Sequence, residues 1–304
     1  MARNQTKLWR QAIKWPLYSV AIMPIFLSAA FNLNKFNKVS FINFIGFTVA
    51  SILILFWENL TNDLFDSETG IDEFKLHSIV NLVKNKHIIS VIAYFSLLFG
   101  LLIIFIISFS TNKYVLVLVI GCCILGYLYQ GPPFRLGYMG LGEPLCWIAF
   151  GPLAFCSALI ALDPSANYLS SLPWRESLLL GSGPSLAITL VLFCSHFHQV
   201  KEDKKYGKNS PLVRMGTKRG SLIIPLVICL IYLFQLFTIF IGFIPKFCLF
   251  FFISIPHAYK LTRLITKSHN QPKAIQNCKF IAIKFQTLNG AGLIIGLLCN
   301  YFFA

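Results

Sequence analysis

Long apolar runs separated by short polar breaks make up almost the whole chain. Nine runs stand out, at about 17–34, 41–61, 88–109, 114–130, 143–162, 177–198, 221–243, 245–262 and 285–303. A helix needs about 20 residues to cross a bilayer core, and in lipid it satisfies its own backbone polar groups. The pattern predicts an all-α polytopic membrane protein of about nine transmembrane helices. The eighth run is the least regular, being short and carrying Pro256 and His257. The first follows a basic stretch in "MARNQTKLWRQAIKWPLYSVAIMPIFLSAAF", as a signal peptide would. Its apolar part is long and "LSAAF" is a poor cleavage site, so an uncleaved span is expected.

Composition sharpens this reading. The 304 residues are 56% hydrophobic and 12% charged, with mean hydropathy +0.70, whereas soluble domains carry about 25% charged residues. A soluble fold is excluded, and no nucleic-acid partner is expected. One integral-membrane domain over 1–304 is expected, with membrane lipid as its surroundings; the oligomeric state is left open. The nine cysteines lie mostly inside apolar runs with no C-x-x-C pair, so they read as small hydrophobes rather than zinc ligands or disulfides.

Charge predicts orientation. With the N-terminus inside, only Lys35, Lys38, Lys113, Arg175 and Lys246 of the 26 basic residues fall in outer segments. By the positive-inside rule the N-terminus is cytoplasmic. The rule does not require the acidic residues to follow, yet of the eleven only Asp163 and Glu176 fall outside. Six of the eleven lie between Glu58 and Glu73.

That acidic stretch, "ENLTNDLFDSETGID", ends the second run. On a helix Asn59/Asp63 and Asn62/Asp66 are i,i+4 pairs and Asp63/Asp66 an i,i+3 pair, so all four share one side. Carboxylates at a helix C-terminus oppose the macrodipole at a cost of about 0.3–1 kcal/mol each, so positive charge is expected beside them. The sixth run ends in "SHFHQVKEDKK", where Gln199 and Asp203 are i,i+4 with Glu202 alongside. The equivalent placement hints at an internal pseudo-repeat. Two clusters of hard oxygen donors on one face suit Mg²⁺, which keeps several waters and bridges one or two carboxylates to substrate phosphates. Lys75 follows the first cluster, and Lys201, Lys204, Lys205 and Lys208 surround the second, as a metal–diphosphate complex needs. The competing reading is a pair of solvated helix ends with ordinary charge pairs.

Between the two lies "YLYQGPPFRLGYMGLGEPL". Gly131-Pro132-Pro133 predicts a stiff turn, Arg135 is a candidate phosphate contact, and Tyr129 a candidate for the cavity mouth. The alternative is an interfacial anchor with an aromatic-belt residue. His196 and His198, at i,i+2, point to nearly opposite sides of a helix and do not suit one metal.

"NDLFD" closing the second run, the acidic motif closing the sixth and the nine runs together resemble the UbiA-type intramembrane prenyltransferases, over nearly the whole chain. "ETGID" with "KLHSIVNL", "YQGPPFRLGYMGLGE" and "SHFHQV…GKNSPLVRMGT" are similar to the naphthoate branch of that family. They are most similar to the branch of oxygenic phototrophs that attaches phytyl, on the route to phylloquinone. The resemblance implies a UbiA-like helical bundle, a phytyl (prenyl) diphosphate donor, a naphthoquinone or naphthoate acceptor, and Mg²⁺. It implies binding roles for Asn62, Asp63, Asp66 and Asp203, with Glu202 added, and places the site on the cytoplasmic face of a plasma or thylakoid membrane. The sequence departs from the pattern in two places. A third aspartate of the first motif is replaced by Gly70, with Glu68 and Asp72 as substitutes. The D-x-x-x-D of the second motif becomes Gln199-x-x-x-Asp203, where Gln199 is a weaker, neutral ligand. On this reading Asp63, Asp66 and Asp203 carry the chemistry, while Asn59, Asn62, Lys75, Tyr129, Arg135, Gln199 and Lys208 contact substrate. A family member using another aromatic acceptor or tail (menaquinone or tocopherol type), a membrane transporter and a structural membrane subunit are the alternatives.

Overall fold

The computed structural model describes residues 2–71, 75, 78–163 and 172–303, apart from the side chains of residues 2–5 and 7. Asp72 and Glu73 lie outside the described residues. Every regular element among the described residues is helical. In chain order these are α1 Ala2–Ile13, α2 Ser19–Phe36, α3 Phe41–Thr69, α4 Ile79–Val83, α5 Lys86–Ser110, α6 Tyr114–Gln130 and α7 Gly142–Ile148. There follow α8 Ala154–Leu162, α9 Trp174–His196, α10 Val200–Lys205, α11 Pro211–Met215, α12 Thr217–Phe240, α13 Ile255–Ser268 and α14 Cys278–Phe303. Eight helical segments are long and apolar enough to cross a membrane, and α6 is a shorter apolar helix. The chain is an integral membrane protein.

The nine expected runs each become a helical segment, and the differences lie at their ends. α3 does not stop with its apolar part near residue 61. It starts on the hydroxyl of Ser40, which accepts from the Asn43 N–H, and continues to a left-handed Gly70 (φ 80°). The acids therefore occupy its last three turns instead of a trailing loop. The eighth run opens as a 3₁₀ segment, Lys246–Ser254, and becomes α-helical at Ile255, with Pro256 in the first turn, where its missing N–H costs nothing. Gly292 and Gly296 of α14 explain the tight seat of that 3₁₀ segment. A Cβ on either would overlap its backbone at Phe250 and Cys248, the small-residue packing that membrane helices use.

The fifth run bends between α7 and α8 through a single π-helical turn, Ala149–Leu153, where Gly151 leaves helical geometry (φ −101°, ψ −105°). A Cβ on Gly151 would come 2.7 Å from the Ser185 hydroxyl, so glycine lets α9 approach the bend. Buried side chains form two main apolar groups, one around α3, α5, α6 and α8 and the other around α9, α12, α13 and α14. Several amide side chains buried between helices are paired. Asn32 and Asn43 donate to the Leu159 and Ala161 carbonyls, and Gln235 and Asn289 exchange amide hydrogen bonds at 2.7 and 3.1 Å. All nine cysteines are free.

Candidate active site

A cavity of about 800 Å³ opens between the two apolar groups, walled mainly by α2, α3, α6, α7, α9, α10 and α14, with residues of α1, α5 and α8. The cavity face of α3 carries Leu55, Glu58, Asn59, Asn62 and Asp66 in succession, spaced three or four apart as one helix face requires. Across from it stand Gln199, Glu202, Asp203 and Lys208, with Lys75 at the same end. Deeper in, the wall is apolar, with Phe47, Ile104, Val119 and Ile188 among its members. The cavity is therefore polar and charged at one end and hydrocarbon-like at the other. Tyr129 lines it as expected. Its ring is wedged where a Cβ on Gly137 or Gly142 would come within 2.6 Å of it.

Asp63 behaves differently from its neighbours. Its side chain is fully buried and turned away from the cavity, pairing with Lys14 at 3.3 Å and Lys75 at 3.7 Å. Its second oxygen accepts the Ile79 N–H at 3.0 Å, a donor that the start of α4 leaves without an intrahelical partner. Asp63 thus fastens the entry to α2, the end of α3 and the start of α4 to one another. The positive charge expected beside the acids is present as these two lysines.

Asp66 does face the cavity, and a tyrosine orients it. The Tyr138 hydroxyl donates to Asp66 Oδ1 at 2.8 Å and lies 2.8 Å from the Thr69 hydroxyl. Burial, reinforced by the Asp66 charge, holds the Tyr138 phenol well above the usual tyrosine range, so it remains a donor. Arg135, expected on a phosphate, instead pairs with Glu68 at 2.9 Å and does not line the cavity. The same pair occupies Glu68, one substitute for the missing third aspartate. The Arg135–Glu68 pair has a physical reason. Arg135 adopts a left-handed backbone (φ 44°) beyond the Pro-Pro turn, which aims its side chain at the exposed end of α3.

The second cluster is built on a break. α9 ends at His196, and α10 starts afresh at Val200. Glu202 and Asp203 consequently lie in the first turn of a helix, where the macrodipole favours carboxylates, and not at the C-terminal end of span six. Asp203 is buried. Its Oδ2 accepts from Ser210 at 3.0 Å and lies 3.4 Å from His196 Nδ1. His196 Nε2 lies 3.6 Å from Glu143 of α7, so the imidazole stands between two carboxylates. His198 is pushed below the ordinary histidine range by burial and then by Lys279, against the pull of Asp203 and Glu202. The Tyr138 loop joins the two clusters. Its carbonyl accepts the Asn209 N–H at 2.8 Å, and the Lys208 ammonium sits 5.2 Å from its ring centre.

These donors fit a magnesium ion completed by substrate oxygens. Asp66 and Asp203 offer carboxylates from opposite walls, with Asn62, Gln199 and Glu202 alongside. Asp203 Oδ1 is buried with no hydrogen-bond partner. Among the described residues no three His, Cys, Asp or Glu side chains form a closed metal cage.

Four site residues escaped the sequence reading. Lys14 and Lys279 also line the charged end; each stands among other cations just before an apolar run, where nothing local singles it out. Tyr138 gave no signal either, since loop contacts follow no period. Glu58 did, as an acid inside an apolar run, the kind of residue that marks function in membranes.

A family model described as the UbiA prenyltransferase family matches residues 21–283. The chain belongs to that family. This family member is 40% identical over 291 residues to a Synechocystis protein named 2-carboxy-1,4-naphthoquinone phytyltransferase, covering 95% of this chain and 92% of that one. A chloroplastic Arabidopsis thaliana protein of the same name is 36% identical, over 95% and 76% of the two chains. A solved UbiA homolog from Archaeoglobus fulgidus, bound to GPP and Mg²⁺, superposes with TM-score 0.57 at 12% identity, covering 94% of this chain and 99% of that one. At that identity the likeness is one of fold.

Proposed function

We propose that this protein transfers a phytyl group from its diphosphate to a carboxylated naphthoquinone, or to the corresponding dihydroxynaphthoate, with loss of diphosphate and CO₂. The cavity carries this reading, because its one charged end and long apolar remainder suit a molecule that is diphosphate at one end and hydrocarbon at the other. The names of the two similar proteins support the choice of donor and acceptor.

Asn62, Asp66, Glu202 and Asp203 are the residues that would hold Mg²⁺. Asp63 orders the two lysines behind them. When bound, Mg²⁺ supplies positive charge to the departing diphosphate; the metal-bound A. fulgidus homolog supports its use. Lys75 and Lys208 line the same end and add fixed charge where negative charge develops as the allylic C–O bond breaks. The apolar wall holds the tail and keeps water from the allylic cation. The ring carbon bearing the carboxylate then attacks, and departure of CO₂ returns its electron pair to the ring, so no strong base is required. The whole chain acts as one integral-membrane domain, its charged end at the cytoplasmic face. The chloroplastic relative favours a thylakoid membrane.

The test is incubation of membranes containing the protein with phytyl diphosphate and the dihydroxynaphthoate, with Mg²⁺ or with chelator. Metal-dependent phytylated product and CO₂ are expected. Transfer only to homogentisate or chlorophyllide would keep the family and replace the acceptor. Transfer to none of these by folded protein would overturn the reading.

A further inference from the structure

A second cleft, of about 390 Å³, lies outside the substrate cavity, between α13 and α14. His257, Lys260 and Leu264 line it from α13, and Phe280 and Lys284 from α14, with Ala274 of the connecting turn at its mouth. Spacings of three and four residues put each set on one face of its helix. Lys284 stands six residues past the start of α14 at Cys278, and Lys260 eight residues before the end of α13 at Ser268. These are about 9 Å and about 12 Å along the two helices, so both lysines enter the cleft at nearly one level. α14 has 26 residues, which makes it about 39 Å long against a hydrocarbon core of about 30 Å. Its ends therefore reach into the headgroup layers, and the flexible stem of a lysine at this depth carries its ammonium to the level of the lipid phosphates.

No acid offsets these charges. The chain carries no acidic residue after Asp203, and neither lysine forms an ion pair among the described residues. The positive-inside rule accounts for lysines at the mouths of helices. It does not account for two that lie within spans and converge on one concave surface, where like charges repel and an unpaired cation is costly. We infer that this cleft binds the phosphate headgroup of an anionic lipid, taken from the leaflet on the side of the cavity's charged end. Basic pockets between membrane helices recognise such headgroups. The two ammonium groups flank the phosphate, and Leu264 and Phe280 lie beside it for the apolar part of the lipid, from which a free phosphate would gain nothing. The cleft opens sideways, since Phe280 is 46% exposed. Phe280 also lines the substrate cavity, so the bound lipid rests against the outer side of that cavity's wall.

The experiment counts the lipids that purified protein retains in native mass spectrometry. The protein is first reconstituted in vesicles of phosphatidylcholine alone, or of phosphatidylcholine and phosphatidylglycerol in equal parts. Wild type should retain phosphatidylglycerol in preference to phosphatidylcholine. Lys260→Gln with Lys284→Gln should weaken that retention roughly 10- to 30-fold, the scale for two lysines attracted to an anionic headgroup. Lys86→Gln with Lys218→Gln removes the same charge from exposed helix starts on the same side but outside the cleft, and should leave retention unchanged. Ala274→Trp fills the mouth with every charge intact and should also abolish the preference. Equal weakening by the two lysine pairs would reveal diffuse surface attraction and overturn the inference. So would retention that survives Lys260→Gln with Lys284→Gln, or that survives Ala274→Trp. Displacement of the lipid by millimolar inorganic phosphate or diphosphate would make the ligand a free anion and overturn it too. If the paired cleft variant is not recovered folded, Lys284→Gln alone should weaken retention about fivefold, and no change there would overturn the inference.

Discussion

The two acid-bearing ends, that of α3 and that between α9 and α10, carry similar residues on the same side of the bundle but are built in opposite ways. At α3 the helix runs on unbroken and spreads its acids over several turns, so that one of them, Asp63, is drawn into a pair with Lys14 and Lys75 while Asp66 faces the cavity. At the other end the helix breaks at His196 and restarts at Val200, so Glu202 and Asp203 gain a favourable helix start, with Ser210 and His196 as neighbours. One end needs lysines to offset its dipole, and the other turns its dipole round. Similar donor sets in sequence can thus be divided by their backbones into fastening and ligand-presenting carboxylates.

Five substitutions test this contrast. The largest loss should come from Asp203→Asn or Asp66→Asn. Either removes a cavity carboxylate and should lower kcat by about 10²–10³-fold, the scale of losing one group that stabilises transition-state charge, with little change in thermal unfolding in detergent. Asp63→Ala should do the reverse in kind. It strands Lys14 and Lys75 and should lower stability by roughly 2–3 kcal/mol, below the value for fully buried pairs because both lysines are partly exposed. Activity would then fall mainly through lost folded protein, and normal stability with abolished turnover would move Asp63 to the ligand-presenting side. Tyr138→Phe should raise the KM for prenyl diphosphate about tenfold, since it removes the donor that aims Asp66. Because the phenol titrates far above neutrality, this difference should persist unchanged from pH 6 to 9. The smallest effect should be that of Arg135→Ala. Its partner Glu68 is exposed, so the change should cost under about 1 kcal/mol and alter kcat/KM less than about threefold. A loss of a hundredfold would return Arg135 to the substrate.

Hydrophobic pattern alone determined that this is a bundle of membrane-spanning helices, because lipid admits few other ways to satisfy a backbone. The i,i+4 arithmetic on α3 placed Asn59, Asn62, Asp63 and Asp66 on one side; Asn59, Asn62 and Asp66 do line the cavity, but Asp63 turns away from it to Lys14 and Lys75. Charge sparsity pointed to both acidic clusters, and Glu58 was legible in the same way as an acid inside an apolar run. What the sequence could not fix was which acid meets which cation. Lys14 lies 49 residues from Asp63, and Tyr138 lies 72 from Asp66, so no local period links them. Nor could it fix where a helix breaks: α9 stops at His196, whose ring meets Glu143 and Asp203 from other helices. Arg135 was assigned to phosphate because it is the only cation in its loop, and only the tertiary structure, by bringing Glu68 within 2.9 Å, gave it another partner. Faces and spans are properties of a segment with itself. Ion pairs, breaks and the cavity between the two apolar groups are properties of segments with each other, and those appear only when the chain is folded.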